Sequence, residues 1–519
     1  MIRSFICAGL LAVAVCASAT LPSVVAGSAQ NHALAAAAPQ SGFANTAIVG
    51  GAQPADCENR VNDTLAKLDA CMTPASLWRR LSHFQTIADQ NPGPDGHGTR
   101  DTGTAGYKAS VDFVAELMRQ AGYRVKVQSY IFFANEPSGT PRFGTASYGY
   151  TLNRDWLVAR RSGSGSLTAP FELPTRSPYG CFTADFAGFT RGDVAVIQRG
   201  ECAADRQVAN AQTAGARAVI LYTTATGLYA ARLNNPANIP VIGASGRVGM
   251  DLLGRYRSGR ASTVHIDIQM RLRSGTDYNL IADSPFGDAN HIVAIDAHLD
   301  SIFGAGMLDN ASGSASILET ALDLANTPTL NRLRYIWFGG EELGLLGSAY
   351  YTTHLTSSEL HRIVFDVDAD VTATPNFDME IADPAYAENV GSFPANVVPE
   401  SKVGNDAFAH FFKKIGIVSE PAPFGNSGTD SNSFALVGVP DSGILTRQDC
   451  CKDASEVQIW GGFTGNYEGN IPSFDGGCVD MPDLWCDNLS NNDPFVLGLA
   501  SKSIANVTLT LANDASLTR

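Results

Sequence analysis

From residue 276 onward, apolar runs of strand length alternate with helical stripes, and acidic or imidazole residues follow the runs closely: His298 and Asp300, Asp309, the pair Glu341-Glu342, and Asp370. The runs read as buried strands at 280–282, 291–297, 334–338 and 363–367, and 311–325 reads as a helix whose start is marked by Asn310 and Ser312. Buried strands alternating with helices build an α/β fold with a mostly parallel central sheet flanked by helices. Ligands of such sheets gather beyond the carboxyl ends of the strands, which is where these side chains fall. Adjacent glutamates after Phe338-Gly339-Gly340 are hard to explain as packing, because buried carboxylates are costly unless a cation neutralises them. Imidazole and carboxylates converging from several strand ends, with one carboxylate able to bridge two ions roughly 3.5 Å apart, are what a dinuclear zinc hydrolase needs. Asp300, two residues past His298, is placed to orient the imidazole without binding an ion itself.

A chain of 519 residues exceeds one ordinary core, so two domains are expected. The net charge of -15, with no cluster of Lys and Arg, argues against nucleic acid or an anionic membrane as partner. Residues 1–19 carry Arg3, an apolar stretch over 5–15 and Ala17-Ser18-Ala19, the layout of a cleavable signal too short to span a bilayer. Val15 is too bulky for the small position before a lipidated Cys16, and no later segment reads as apolar enough to anchor the chain. The expected location is therefore secreted or periplasmic. Eight cysteines follow the signal, an even number that suggests disulfides in an exported protein. Proximity pairs Cys57 with Cys71, Cys181 with Cys202 and Cys478 with Cys486, leaving the adjacent Cys450 and Cys451 open.

Residues 20–55, rich in Ala, Gln, Ser and Gly without periodicity, read as a linker or pro-segment. A helical stripe over 108–121 and an alternating strand over 123–132 open a first peptidase-type part, 56–134. Short Gly- and Ser-rich strands then mark an insert, 135–270, with a strand at 193–198, a helix at 204–214 closed by Gly215 and a strand at 218–223; the second part runs 271–519. Within the insert, Cys181-Phe182-Thr183-Ala184-Asp185-Phe186, the run from Gly192 through Val194-Ala195-Val196-Ile197 to Cys202, and Ala214-Gly215-Ala216-Arg217-Ala218-Val219-Ile220 resemble a protease-associated domain. The resemblance implies a small mixed α/β lid or gating module without catalytic residues.

Ala297-His298-Leu299-Asp300-Ser301, then Gly306-Met307-Leu308-Asp309-Asn310-Ala311-Ser312-Gly313, then Glu341-Glu342-Leu343-Gly344-Leu345-Leu346-Gly347-Ser348 resemble the co-catalytic zinc aminopeptidases of the aminopeptidase Y and bacterial leucyl aminopeptidase group. Gly103-Thr104-Ala105-Gly106-Tyr107 and Trp460-Gly461-Gly462 extend the likeness over roughly 76–515. It implies a zinc exopeptidase-like fold with two zinc ions. In the family the residue matching His298 binds one zinc, that matching Asp309 bridges both, that matching Glu342 binds the other, and that matching Glu341 is the catalytic base. Counting back from Thr374-Pro375-Asn376 puts the next ligand at Asp370, with Asp366 and Asp368 as alternatives if the loop has slipped; Val371 stands where the family has Met. The last family ligand is a His in a C-terminal disulfide loop, and this chain has no His after His410. Asp483 stands at the same distance before the second Cys of the loop 478–486, with Asp480 nearby, and is the substitute expected here.

The expected activity is exopeptidase, an aminopeptidase acting as a monomer on a peptide or protein with a free N-terminus. Alternatives are a carboxypeptidase or other amidohydrolase with the same centre, or a peptide-binding protein whose site has lapsed, motivated by the absent His. Neither a Gly-x-Ser-x-Gly elbow nor a His-Glu-x-x-His helix is present.

Overall fold

Two long strands, Arg124–Thr145 and Thr263–Asp283, pair antiparallel along almost their whole length and form the frame on which the rest is hung. The computed structural model describes residues 56–517 apart from 94–95, 153, 225–227, 230, 232, 234, 260–262, 303, 388, 423–427, 449–451 and 468–486. The signal, the 20–55 segment and Cys450, Cys451, Cys478, Asp480, Asp483 and Cys486 lie outside the described residues.

At one end of the frame, Thr263–Asp283 carries Asn331–Phe338 antiparallel, and the parallel strands Asp288–His298, Ile363–Ala369 and Asp441–Leu445 follow in that order. Glu380–Ala382, antiparallel to its neighbour, and Glu420–Ala422 complete this edge. At the other end, Gly165–Glu172 pairs with Thr263–Asp283 and leads through Val194–Gln198, Ala218–Tyr222 and Val241–Ala244 to Trp156–Val158. The first frame strand runs well past the expected 123–132. From Asn135 to Thr140 it carries no apolar side chain except Pro137, so no hydrophobic pattern marks it, and the ladder to the partner strand carries it on to the buried Phe143, Gly144 and Thr145.

The helix Ala311–Leu324 is buried along its entire length, wedged between the parallel strands and the helices Pro74–Gln90 and Pro494–Ala512. Its Ala and Ser residues let those neighbours approach closely on every side. The helix Pro494–Ala512 corrects one expectation: it is long enough and, at a mean hydropathy of 1.4, apolar enough to cross a membrane by composition alone. Here 83% of that window is packed inside the protein, which is why it is apolar all round. The helix Ala105–Gln120 starts three residues earlier than its stripe implies, because the Thr104 side chain caps it by accepting from the Tyr107 N–H. Disulfides join Cys57 to Cys71 and Cys181 to Cys202, as proximity pairs them.

Candidate active site

His298 ends the strand Asp288–His298 and is almost wholly buried. Its Nε2 lies 2.9 Å from Asp309 Oδ1 and 3.3 Å from Asp370 Oδ1. One donor atom each from His298, Asp309 and Glu342 falls within 4.8 Å of the others. Four chain segments thus converge: the end of one strand, the loop before the helix Ala311–Leu324, the turn after Asn331–Phe338, and the loop after Ile363–Ala369. Of the three candidate aspartates in the last segment, the chain brings Asp370 to the imidazole. The carboxylate of Asp368 instead accepts from Thr429 Oγ1 at 2.6 Å, and Asp366 is buried in the strand beneath. Asp483 lies in the undescribed segment 468–486.

Asp300 lies against the imidazole chiefly through its main chain. The nearest group to His298 Nδ1 is the carbonyl oxygen of Asp300, at 3.1 Å, with its carboxylate at 3.6 Å. That carboxylate accepts from Thr102 Oγ1 at 2.7 Å and from the main-chain N–H groups of Glu341 and Glu342 at 3.2 and 3.4 Å. It therefore ties the glutamate turn to the histidine strand.

The loops are bound to one another by side chains whose importance sequence reasoning misses or only half sees. Asn310 caps the helix, its Oδ1 accepting from Gly313 N–H at 2.8 Å, and also reaches across to the Asp370 loop. There Oδ1 accepts from Val371 N–H at 3.2 Å and Nδ2 donates to the Ala369 carbonyl at 2.8 Å. Gly313 is demanded by the same approach, because a Cβ there would lie 2.1 Å from the Ala369 carbonyl oxygen. Val371 has φ of 52°, a left-handed conformation unusual for a β-branched residue, and its carbonyl is held by Thr446 through both N–H and Oγ1. Asp487 accepts from the N–H groups of Leu308 and Asp309 at 2.7 and 3.0 Å, and fully buried Arg100 donates to the carbonyls of Leu299, Ala305 and Gly306, each at 2.6 Å. Asp487 directly follows Cys486 and Arg100 stands three residues before Gly103, so nearness to the recognisable motifs is their one signal in the sequence.

The electrostatics are those of a centre built around positive charge. Burial alone would strip the proton from His298, yet the carboxylate of Asp370, with Asp300 and Asp309, reverses this and holds its pKa well above the usual value. Desolvation pushes Glu341 well above the ordinary carboxylate range; His298 opposes the shift, and Asp430, Asp370 and Asp309 add to it. Burial also lifts Asp487 to about 7 and Asp368 to about 7, the latter with repulsion from Asp370. One imidazole and several carboxylates competing for protons suit a zinc-type divalent ion, whose binding would release those protons and tighten as pH rises.

A cleft of about 370 Å³ opens beside Glu342, walled by Phe133, Leu272, Leu343 and Leu346 from the frame and the glutamate turn and by Leu157 and Arg160 from the insert. Arg160 Nη1 donates to the Glu342 carbonyl at 3.2 Å, so the insert touches the turn that carries the paired glutamates.

Comparison with known proteins bears on this arrangement. The sequence pattern of Peptidase family M28 matches residues 279–460, and that of the PA domain matches 164–252. An "Aminopeptidase" of Pseudomonas aeruginosa is 31% identical over 459 residues, covering 85% of this chain and 81% of the relative. The "Probable lipoprotein aminopeptidase LpqL" of Mycobacterium tuberculosis is 29% identical over 421 residues, covering 77% and 80%. Among solved structures, an aminopeptidase from an Aneurinibacillus species superposes with a TM-score of 0.63 at 20% identity, covering 88% of this chain and 98% of that one. A zinc aminopeptidase from Bacillus subtilis superposes with a TM-score of 0.61 at 22% identity, covering 85% and 96%. These two likenesses establish the α/β fold.

Proposed function

Because the chain belongs to Peptidase family M28, we propose that it is a zinc-dependent aminopeptidase that releases N-terminal residues from peptides at the His298 centre. The observation that carries this reading is the convergence of His298, Asp309 and Glu342 within 4.8 Å, with Asp370 3.3 Å from the same imidazole nitrogen. These four side chains, with Asp483 proposed in place of the family's histidine, would hold two zinc ions. What the ions supply when bound is Lewis acidity toward the scissile carbonyl and toward water. The remaining chemistry belongs to the chain. Glu341, partly exposed at the centre and held through its N–H by Asp300, takes the proton of the attacking water and returns it to the leaving amine. Asp300 also keeps the imidazole ring oriented through its carbonyl.

The proposed division of the chain is a signal at 1–19, a linker or pro-segment at 20–55, a peptidase domain made of 56–134 and 271–519, and the protease-associated insert at 135–270. The Arg160 contact and the shared cleft support a gating role for the insert. Two disulfides suit an oxidising compartment, and a secreted or periplasmic monomer is the form proposed.

The reading is tested by measuring zinc per chain beside hydrolysis of matched peptides with free, amino-blocked and carboxyl-blocked ends. About two zincs and cleavage confined to free amino termini are expected. Glu341→Gln should retain the metal and lose roughly 10²–10⁴-fold in kcat. Cleavage of amino-blocked peptides instead would make the protein a carboxypeptidase or general amidohydrolase, and a zinc-free, inactive protein would make it a binder.

A further inference from the structure

At the far edge of the sheet, three and four strands from the one that ends in His298, a second group of acidic side chains converges. Asp378 precedes the strand Glu380–Ala382 by two residues, Glu420 opens the edge strand Glu420–Ala422, and Glu456 lies in the first turn of the helix Ala454–Trp460. One carboxylate oxygen from each lies within 4.8 Å of the others. Asp378 is fully buried, and neither of its oxygens has a hydrogen-bond partner. Protonation would not satisfy it, because a neutral carboxyl still needs an acceptor for its O–H. Burial, with repulsion from Glu380 and Glu456, pushes it up to about 7, so near neutral pH it is readily ionised.

The nearby cations do not resolve this. Arg447 is engaged by Glu380 at 2.5 Å, and Lys452 Nζ donates to the carbonyls of Asn376 and Phe377. Among the described residues, Asp378, Glu380, Glu420 and Glu456 face these two bases, four carboxylates against two cations, and the exposed Asp453 adds a further negative charge. Glu456 is held in place beforehand, its oxygens accepting from Tyr467 O–H at 3.1 Å and from the Asp453 N–H.

We propose that Asp378, Glu420 and Glu456 form a binding site for a hard divalent cation, calcium, separate from the catalytic centre. The donors are all carboxylate oxygens, with neither imidazole nor thiolate, which favours calcium over zinc. Ligands drawn from three separate short elements suit its longer and more flexible coordination better than the strict octahedron of magnesium. The ion would join the edge strand, its neighbour and the helix Ala454–Trp460, three short elements of three to seven residues.

The test is calorimetric titration of calcium chloride into the zinc-loaded full chain, with Tm followed in parallel. Saturable binding of about one calcium per chain and a rise in Tm are expected. Both should be lost in Asp378→Asn and in Glu420→Gln, with zinc content unchanged. Glu420 is half-buried on an edge strand, so its variant reports even if Asp378→Asn folds poorly. Absence of calcium binding by the unaltered protein, or binding by Glu420→Gln as tight as by the unaltered protein, would overturn the assignment.

Discussion

Asp323, near the end of the helix Ala311–Leu324, is fully buried with neither carboxylate oxygen hydrogen-bonded, close to the Cys57–Cys71 disulfide. Burial, with the nearby Glu319 and Glu58, raises its pKa to about 8. The folded state thus holds a proton that the unfolded chain releases near its ordinary value of about 4, and stability from this group falls as pH rises between those two values. Asp323→Asn should therefore raise Tm relative to the unaltered protein by an amount that grows from pH 4 to pH 8 and then levels off. A constant difference across that range would mean that the carboxyl titrates normally. At the same scale, the sequence shows which residues are chemically apt but not what each touches. His298, Asp309, Glu342 and Asp370 stand out because imidazole and acids behind buried strands are costly without a purpose. Arg100 and Asp487 do not stand out, because a lone Arg or Asp is ordinary until its carbonyl or N–H partners are known.

Between elements, the decisive joint is Asn310. A cap residue is legible in the sequence, but this one also bridges to the Ala369 carbonyl and Val371 N–H, aligning the Asp309 loop with the Asp370 loop. Asn310→Ala removes the cap, worth about 1 kcal/mol, and leaves buried main-chain groups unsatisfied at about 1–3 kcal/mol. The expected result in urea denaturation is a loss of about 3 kcal/mol, together with zinc affinity weakened roughly 10–100-fold in competition with a chelating dye. Unchanged zinc affinity would show that the two loops hold their positions independently. The parallel strands and the buried helix were readable in outline, since short apolar runs and a cap are local signals. The frame strands were readable only in part, at 123–132 and 280–282. In Arg124–Thr145 the buried Tyr130, Phe132 and Ala134 alternate with the exposed apolar Ile131 and Phe133, and the strand's length is decided by the ladder to Thr263–Asp283 some 140 positions away in the chain.

Over the molecule as a whole, the insert and the peptidase part meet at the cleft beside Glu342. Phe133 and Leu272 line it while remaining 61% and 68% exposed, so they contribute little to folding and are available to a substrate. Phe133→Ala should leave Tm unchanged and raise KM roughly tenfold for peptides with bulky apolar residues, with kcat nearly constant. Equal KM for the variant and the unaltered enzyme would remove the cleft from the substrate path.

The sequence by itself determined the α/β alternation, the family resemblance, two of the disulfide pairs and the chemical inventory of the centre, because these rest on periodicity, spacing and residue type. Tertiary structure alone decided that Asp370 rather than Asp366 or Asp368 faces His298, that Asp300 ties down the glutamate turn, and that Arg160 from the insert reaches the same turn. It also gathered Asp378, Glu420 and Glu456 at the sheet edge. Each of these depends on distances between segments far apart in the chain, and such distances are set by strand register and by the packing of loops rather than by any local pattern.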